Sequence, residues 1–226
     1  MPKRVPARKL RLAVVVSAMI AAAGTFVAAR FFRGGDDGNA PAAIDVGKTL
    51  SALTREVGVR EGDLILRHGN GLWSNFIRDG NPSDKRFSHV GVVVREAEGE
   101  FFVVHADCDA AGLGEVRREP LEDFLREARR VGVLRPRAGV PAVRVRAAES
   151  FVGRPFDRAF DLSDDSELYC TELVLRAVRD ADPGFSARTF GLAGREIVPA
   201  DAFSDPAFAE ELFDSGAKED EERPGR

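Results

Sequence analysis

Two short apolar runs constrain this chain more than anything else in it. Phe87-Ser88-His89-Val90-Gly91-Val92-Val93-Val94 and Phe101-Phe102-Val103-Val104-His105-Ala106 are rich in β-branched and aromatic residues, and only Glu96-Ala97-Glu98-Gly99-Glu100 separates their strand cores. That spacing predicts two strands, 89–95 and 101–105, joined by a hairpin-length connection. A histidine opens the first strand and another ends the second. In an antiparallel pair the end of one strand faces the beginning of the next, so the two imidazoles become neighbours across the ladder.

The rest of the chain alternates helical and strand patterns. Apolar spacing predicts helices over 46–57, 72–77 (anchored by Trp73 and Phe76), 121–129 and 143–152, the last ended by Gly153. Gly62-Asp63-Leu64-Ile65-Leu66-Arg67 reads as a turn entering a strand, with Asp63 as turn chemistry. Further strands are expected at 116–118 and 131–135, and a loop over 154–168 leads into a helix from Cys170 to about Arg179. Antiparallel strands mixed with helices in this way imply an α+β fold, a small antiparallel sheet packed against helices.

Charge divides the chain. Residues 1–35 hold seven Lys/Arg and no Asp/Glu, which leaves 26 basic against 37 acidic residues, a formal −11, for the remainder. Residues 12–29 run without a charge, behind a basic start and ahead of Arg30 and Arg33. Residues 1–33 therefore read as a signal anchor or signal peptide, with the basic flank after the run favouring an anchor. The positive N-terminal flank favours a cytoplasmic N-terminus, so the expected location is the inner membrane with the domain facing the periplasm, or secretion into the periplasm. Residues 34–42 read as a flexible linker, 43–213 as the body and 214–226 as a disordered charged tail. An acidic body argues against nucleic acid as a partner. Two cysteines, Cys108 and Cys170, are too few for a disulfide scaffold.

Cys170 is the first candidate for chemistry. Leu173, Val174, Ala177 and Val178 define one buried helical face, and Cys170 opens that helix on the same side. Amides at a helix start stabilise a thiolate, which is what a cysteine nucleophile requires; a small buried apolar cysteine is the plain alternative. His89 or His105 then serves as its base, and the other orients that base through the second ring nitrogen. His68, ahead of Gly69-Asn70-Gly71, reads as a turn residue. Tyr169 offers a hydroxyl beside the nucleophile or packs in the core. Asp161, Asp164, Asp165 and Glu167 crowd the preceding loop, either as a solvated turn or as a patch for a substrate ammonium group. Cys108 is read as a free thiol near the site, with a Cys108–Cys170 disulfide as the alternative.

Taken in order, Gly-Asp-Leu-Ile-Leu-Arg (62–67), Phe-Ser-His-Val-Gly-Val-Val (87–93), Val-Val-His-Ala (103–106), Gly-Arg-Pro-Phe-Asp (153–157), Phe-Asp-Leu (160–162) and Leu-Tyr-Cys-Thr-Glu-Leu-Val (168–174) resemble the YaeF/YiiX group. These are circularly permuted papain-like amidases, related to NlpC-type cell-wall peptidases and to lecithin:retinol acyltransferase. The resemblance spans about 60–205 and implies a papain-like core in which histidine precedes cysteine. Carried onto this chain, it makes Cys170 the nucleophile, His89 the general base and His105 the third polar group, a position where many members carry a carboxylate and the retinoid-acyltransferase branch a histidine.

The expected function is therefore cleavage of an amide through an acyl-enzyme, with cell-wall stem peptides as the leading substrate class and no cofactor. Three rivals share the residues. A lipid ester or thioester hydrolase or acyltransferase keeps the chemistry and changes the substrate. A binding module on the same fold keeps the site but not turnover. A zinc site would use His89, His105, Cys108 and Cys170, but their spacings match no compact zinc motif, so no metal is expected.

Overall fold

A computed structural model describes residues 43–69, 78–81, 83–192 and 194–217. The expected anchor, linker, 72–77 helix and most of the tail fall outside these residues.

Helix α1 (Val46–Ser51) begins at Asp45, whose carboxylate accepts the Lys48 N–H at 3.0 Å. It widens into a π-helical turn over Ala52–Val57 and stops at Gly58, which takes a left-handed φ of 63°. Strand β1 (Leu64–Gly69) follows, then β2 (His89–Arg95), β3 (Phe101–Cys108) and β4 (Gly114–Pro120). Helix α2 (Leu121–Arg126) leads into β5 (Ala128–Pro136). Helix α3 (Pro141–Ser150) carries proline at its first turn, where the missing N–H costs nothing. Helix α4 (Cys170–Ala181) precedes a small hairpin of β6 (Phe190–Leu192) and β7 (Arg195–Ile197), a 3-10 turn over Ala200–Phe203, and β8 (Ala209–Asp214). The hairpin expected at 96–100 closes with the Glu96 N–H on Glu100 O at 3.0 Å, and Gly99 at φ 94° makes the turn.

Six strands form one antiparallel sheet in the order β4-β3-β2-β1-β5-β8. Both faces are covered, which is why β1 is buried at every position. Strand alternation sends Leu64, Leu66, Val90, Val92, Val104 and Ala106 to one face, where Leu173, Val174 and Ala177 of α4 and Val145 and Ala148 of α3 pack. It sends Ile65, Val93, Val103, Val131 and Val133 to the other, against Leu121, Phe124 and Leu125 of α2 and Leu53. Each Val, Leu, Ile or Phe among these contributes about 1.5–3 kcal/mol on burial.

Several boundaries differ from the sequence reading. The helix expected over 121–129 ends at Arg126, because Ala128 already pairs with Gly69 across a bulge in the β1–β5 ladder. His68 lies inside β1 rather than in a turn, buried beside Arg78. The composition predicts a disordered tail from 214, but the body continues through that point. Asp214 pairs with Arg130 at 2.7 Å and Arg86 at 2.8 Å, and the Ser215 hydroxyl accepts the Val131 N–H at 3.0 Å.

Strands β2 and β3 pair only from Val92 and Val104 onward; toward the other end, β2 stays on β1 through His89 and β3 stays on β4 through Cys108. The sheet is therefore split between His89–Gly91 on one side and His105–Cys108 on the other. Gly91 lies at the root of the split. A Cβ there would fall 2.5 Å from Val103 Cγ1 and 3.0 Å from both His105 Cβ and Val104 O. Gly91→Ala is expected to cost about 1–3 kcal/mol through this overlap. The readout is a lower denaturant midpoint at unchanged slope; an unchanged midpoint would mean that β3 yields without cost.

Candidate active site

The split in the sheet brings the candidate residues together. In an antiparallel ladder successive N–H groups turn to opposite neighbours. The Val93 N–H is used on Asp63 O at 2.9 Å, on the β1 side, so that of Val90 turns toward β3, into the split. There it meets Cys170: hydrogen bonds from the Val90 and Thr171 N–H groups favour the Cys170 anion. A strand N–H lies in the plane of its sheet, so the sulfur sits at the level of the strands, beside the residue that follows His89. Helix α4 lies over one face of the sheet, but its first residue reaches into the sheet.

The imidazoles close the same gap from the α2 side. His89 Nε2 and His105 Nδ1 are 2.8 Å apart, with the rings edge-on at 90°. Phe124 of α2 lies under both, at centroid distances of 5.9 and 5.2 Å. His105 Nε2 is 2.8 Å from a carboxylate oxygen of Glu119. Around them, Arg67 reaches Asp107 at 3.2 Å and Glu127 at 2.9 Å, and Arg117 reaches Asp107 at 2.7 Å and Glu119 at 3.2 Å. Among the described residues no hydrogen bond joins Cys170 Sγ to His89. Both nonetheless feel the same guanidinium, that of Arg67, and catalytic contacts are often long before substrate binds.

Burial sets the protonation states. Cys170 is 2 % exposed, and desolvation pushes its thiol up to about 12 despite the two N–H donors. The helix-start amides therefore do not yield a resting thiolate, as the sequence reading expected; desolvation outweighs them. Burial holds the His89 imidazole well below its ordinary range, with the Arg67, His105 and Arg117 charges acting in the same direction. His105 is lowered too, chiefly by burial, while Glu119 opposes the shift. At rest Cys170 is therefore a neutral thiol and His89 a neutral imidazole. Cys108 is also a free thiol, pushed up to about 12 by burial and by Asp107.

Other expectations fare differently. Tyr169 is fully buried, stacks near Phe160 at 5.0 Å and accepts the Val198 N–H at 3.3 Å. Its hydroxyl anchors the segment after β7, in keeping with a packing role in the core. Asp157 accepts the N–H groups of Ala159, Phe160 and Asp161 at 2.7, 2.9 and 2.6 Å, holding a turn in which Phe160 has φ 51°. Asp164 caps its own turn through the Ser166 N–H at 2.9 Å, and Asp161 pairs with Arg195 at 3.1 Å; Asp164 and Asp165 stay exposed. Glu119 was not anticipated. The signal for it was its place on β4: Arg117 lies opposite His105, and Glu119 two residues on is the diagonal neighbour on the same face.

A sequence model of the permuted papain-like amidases, the YaeF/YiiX (C92) family, matches residues 58–202. The chain belongs to this family. Among solved structures, one titled as the crystal structure of the metalloprotein yiiX from Escherichia coli O157:H7 superposes with a TM-score of 0.57 at 19 % identity, covering 67 % of this chain and 95 % of that one. No curated protein sequence matches significantly. C92 membership and the shared fold make this chain a papain-like cysteine hydrolase at family level. As to the metal named for that relative, the described residues of this C92 chain hold no group of three or more His, Cys, Asp or Glu arranged as ligands. Two imidazole nitrogens on one zinc stand roughly 3.3 Å apart, whereas those of His89 and His105, at 2.8 Å, share a proton.

Two outcomes follow from the protonation states. Alkylation of Cys170 by iodoacetamide in the substrate-free protein should rise about tenfold per pH unit from pH 7 to 10, as thiolate is its reactive form; a plateau near neutrality would reveal a thiolate–imidazolium pair instead. Glu172, buried on α4 behind the nucleophile and paired with Arg176 at 2.6 Å, is raised by desolvation to about 7 from 4.5. Between those pH values the unfolded chain is ionised and the folded one holds the proton, so this group's contribution to stability falls as pH rises. Glu172→Gln should flatten that fall in a melting-temperature profile between pH 4.5 and 7.

Proposed function

We propose that this chain hydrolyses an amide bond through a thioester intermediate on Cys170, acting outside the cytoplasm on peptides such as cell-wall stem peptides. The observation that carries this reading is the meeting, at one split in the sheet, of a helix-start sulfur with a neutral imidazole braced by a second one. In this scheme His89 takes the thiol proton as sulfur attacks the carbonyl carbon, so the thiolate never has to persist in the buried site. The Cys170 N–H, at the first position of α4 where no intrahelical acceptor exists, faces the developing oxyanion. The His89 imidazolium returns the proton to the leaving amine, and the neutral imidazole then activates the water that cleaves the thioester. His105 orients His89 throughout.

The remaining assignments rest on chemistry. Asp164 and Asp165, exposed on the loop leading into α4, are the carboxylates available to a substrate ammonium group, which stem peptides carry. The basic start and the apolar run at 12–29 deliver the domain to the outer side of the membrane, as an anchor or a removed signal.

The test is intact mass of the full-length chain after an activated acyl probe. Wild type should gain a single acyl group, Cys170→Ala none, and Cys108→Ala the same as wild type. His89→Ala should acylate about 10²–10⁴-fold more slowly. Release of amine from muropeptides then supports the peptide assignment, whereas turnover of lipid esters alone would replace it with the acyl-lipid reading. An adduct that survives Cys170→Ala would remove the mechanism.

A further inference from the structure

The Glu119 carboxylate stands outside the cysteine–histidine–histidine set, and the mechanism above does not use it. Its Oε1 is shielded from solvent and has no well-aligned hydrogen bond among the described residues, and the donor nearest to it is the His105 Nε2, 2.8 Å away. The Arg67 guanidinium stands off at 3.9 Å from the same oxygen, and Arg117 serves the other oxygen at 3.2 Å. A buried carboxylate oxygen without a donor is costly. If His105 carried its proton on Nδ1, two lone pairs would face each other at 2.8 Å. The Arg117 Nε, at 3.4 Å from the His105 Nε2, is the weaker competitor for that nitrogen. The proton of His105 therefore belongs on Nε2, donated to Glu119.

One assignment then forces the next. With Nε2 protonated, the neutral ring of His105 has only a lone pair at Nδ1. The 2.8 Å contact from His89 Nε2 to that nitrogen must be a donation by His89. The proton of His89 is thus on Nε2, and its Nδ1 is left as a lone pair that takes part in no hydrogen bond among the described residues. A chain of two donations runs from His89 through His105 to Glu119, and its far end is the basic atom.

We infer that Glu119 is a positioning residue, which, through His105, holds His89 in the tautomer whose Nδ1 accepts the Cys170 proton. The inference rests on the proposed hydrolase reading. In the step it serves, the S–H bond of Cys170 breaks and an N–H bond forms at His89 Nδ1. The resulting imidazolium keeps its Nε2–H on His105 Nδ1, and no proton passes on to Glu119, which acts as an acceptor before and after. The charged groups facing the chain of rings are Arg67, Asp107, Arg117 and Glu127, all engaged with one another or with Glu119. None of them supplies a second acceptor to His105 Nε2 among the described residues.

The experiment pairs a spectroscopic readout with a kinetic one. Long-range ¹H–¹⁵N correlation spectra of the full-length wild-type protein at neutral pH should show both His89 and His105 as Nε2–H tautomers. Glu119→Ala and Glu119→Leu should turn His89 into a tautomer mixture. They should also lower the acylation rate constant of Cys170 by about 10–100-fold, with the probe concentration at half-saturation within twofold of wild type. Glu119→Asp, which keeps an acceptor, should restore most of the rate. An Nδ1–H tautomer at His89 in wild type would overturn the inference without any variant having to fold. So would a Glu119→Leu protein with unchanged tautomers and rate. A wild-type chain that shows the Nε2–H pair but takes no acyl group would instead sink the hydrolase reading and leave the positioning role standing.

Discussion

The loss of pairing between β2 and β3 beyond Val92 and Val104 is the constraint on which the site depends. A ladder continued to the strand ends would spend the Val90 N–H on β3 and set His89 opposite Asp107 and His105 opposite Gly91. The split frees that N–H for the sulfur of Cys170 and leaves space for two imidazoles to meet edge-on. It is tolerated because each loose strand end is held on its other side, His89 by Arg67 on β1 and His105 by Arg117 on β4. The backbone groups lost from one ladder are thus few, and most of the sheet remains continuous.

Electrostatics then follows from burial. Cys170, His89 and His105 are almost entirely withdrawn from solvent, and each is driven to its neutral form. A neutral imidazole is a base, and a neutral thiol is a proton donor, so the resting state suits the proton transfer proposed for the first step. Charge touches the rings at His105, through Glu119 and Arg117. Arg67, Arg117, Asp107, Glu119 and Glu127 form a network that satisfies most of its own groups. Phe124 separates part of that network from the rings, with the Arg67 guanidinium 4.4 Å from its centroid. Helix α2, only six residues long, therefore covers the sheet face and floors the site together.

Much of this was legible in the residue order. The hairpin of β2 and β3, the strand after Gly62, the helix at Cys170 and the neighbouring imidazoles each announce themselves by local pattern. Strand β8 does not: Ala209–Asp214 reads Ala-Glu-Glu-Leu-Phe-Asp, and its acidic residues disguise an edge strand that β5 and the arginines Arg86 and Arg130 make stable. The first two residues of β5, Ala128 and Arg129, read as the end of the preceding helix, and only pairing with β1 decides. Tyr169 left two readings open, a hydroxyl beside the nucleophile or packing in the core, because its partner Val198 is distant in sequence.

The residue sequence alone settled which groups are available for chemistry and which strand or helix carries each, because periodicity of apolar residues is a local property. It also led to the permuted papain-like family, because that family's motifs are short and ordered. Tertiary structure decided what those groups are doing. The protonation of Cys170, the mutual hydrogen bond of the two histidines and the place of Glu119 beside them all depend on desolvation and on contacts between strands. Neither quantity is written in any single segment, since both arise only when the split sheet, α2 and the start of α4 close around the same few ångströms.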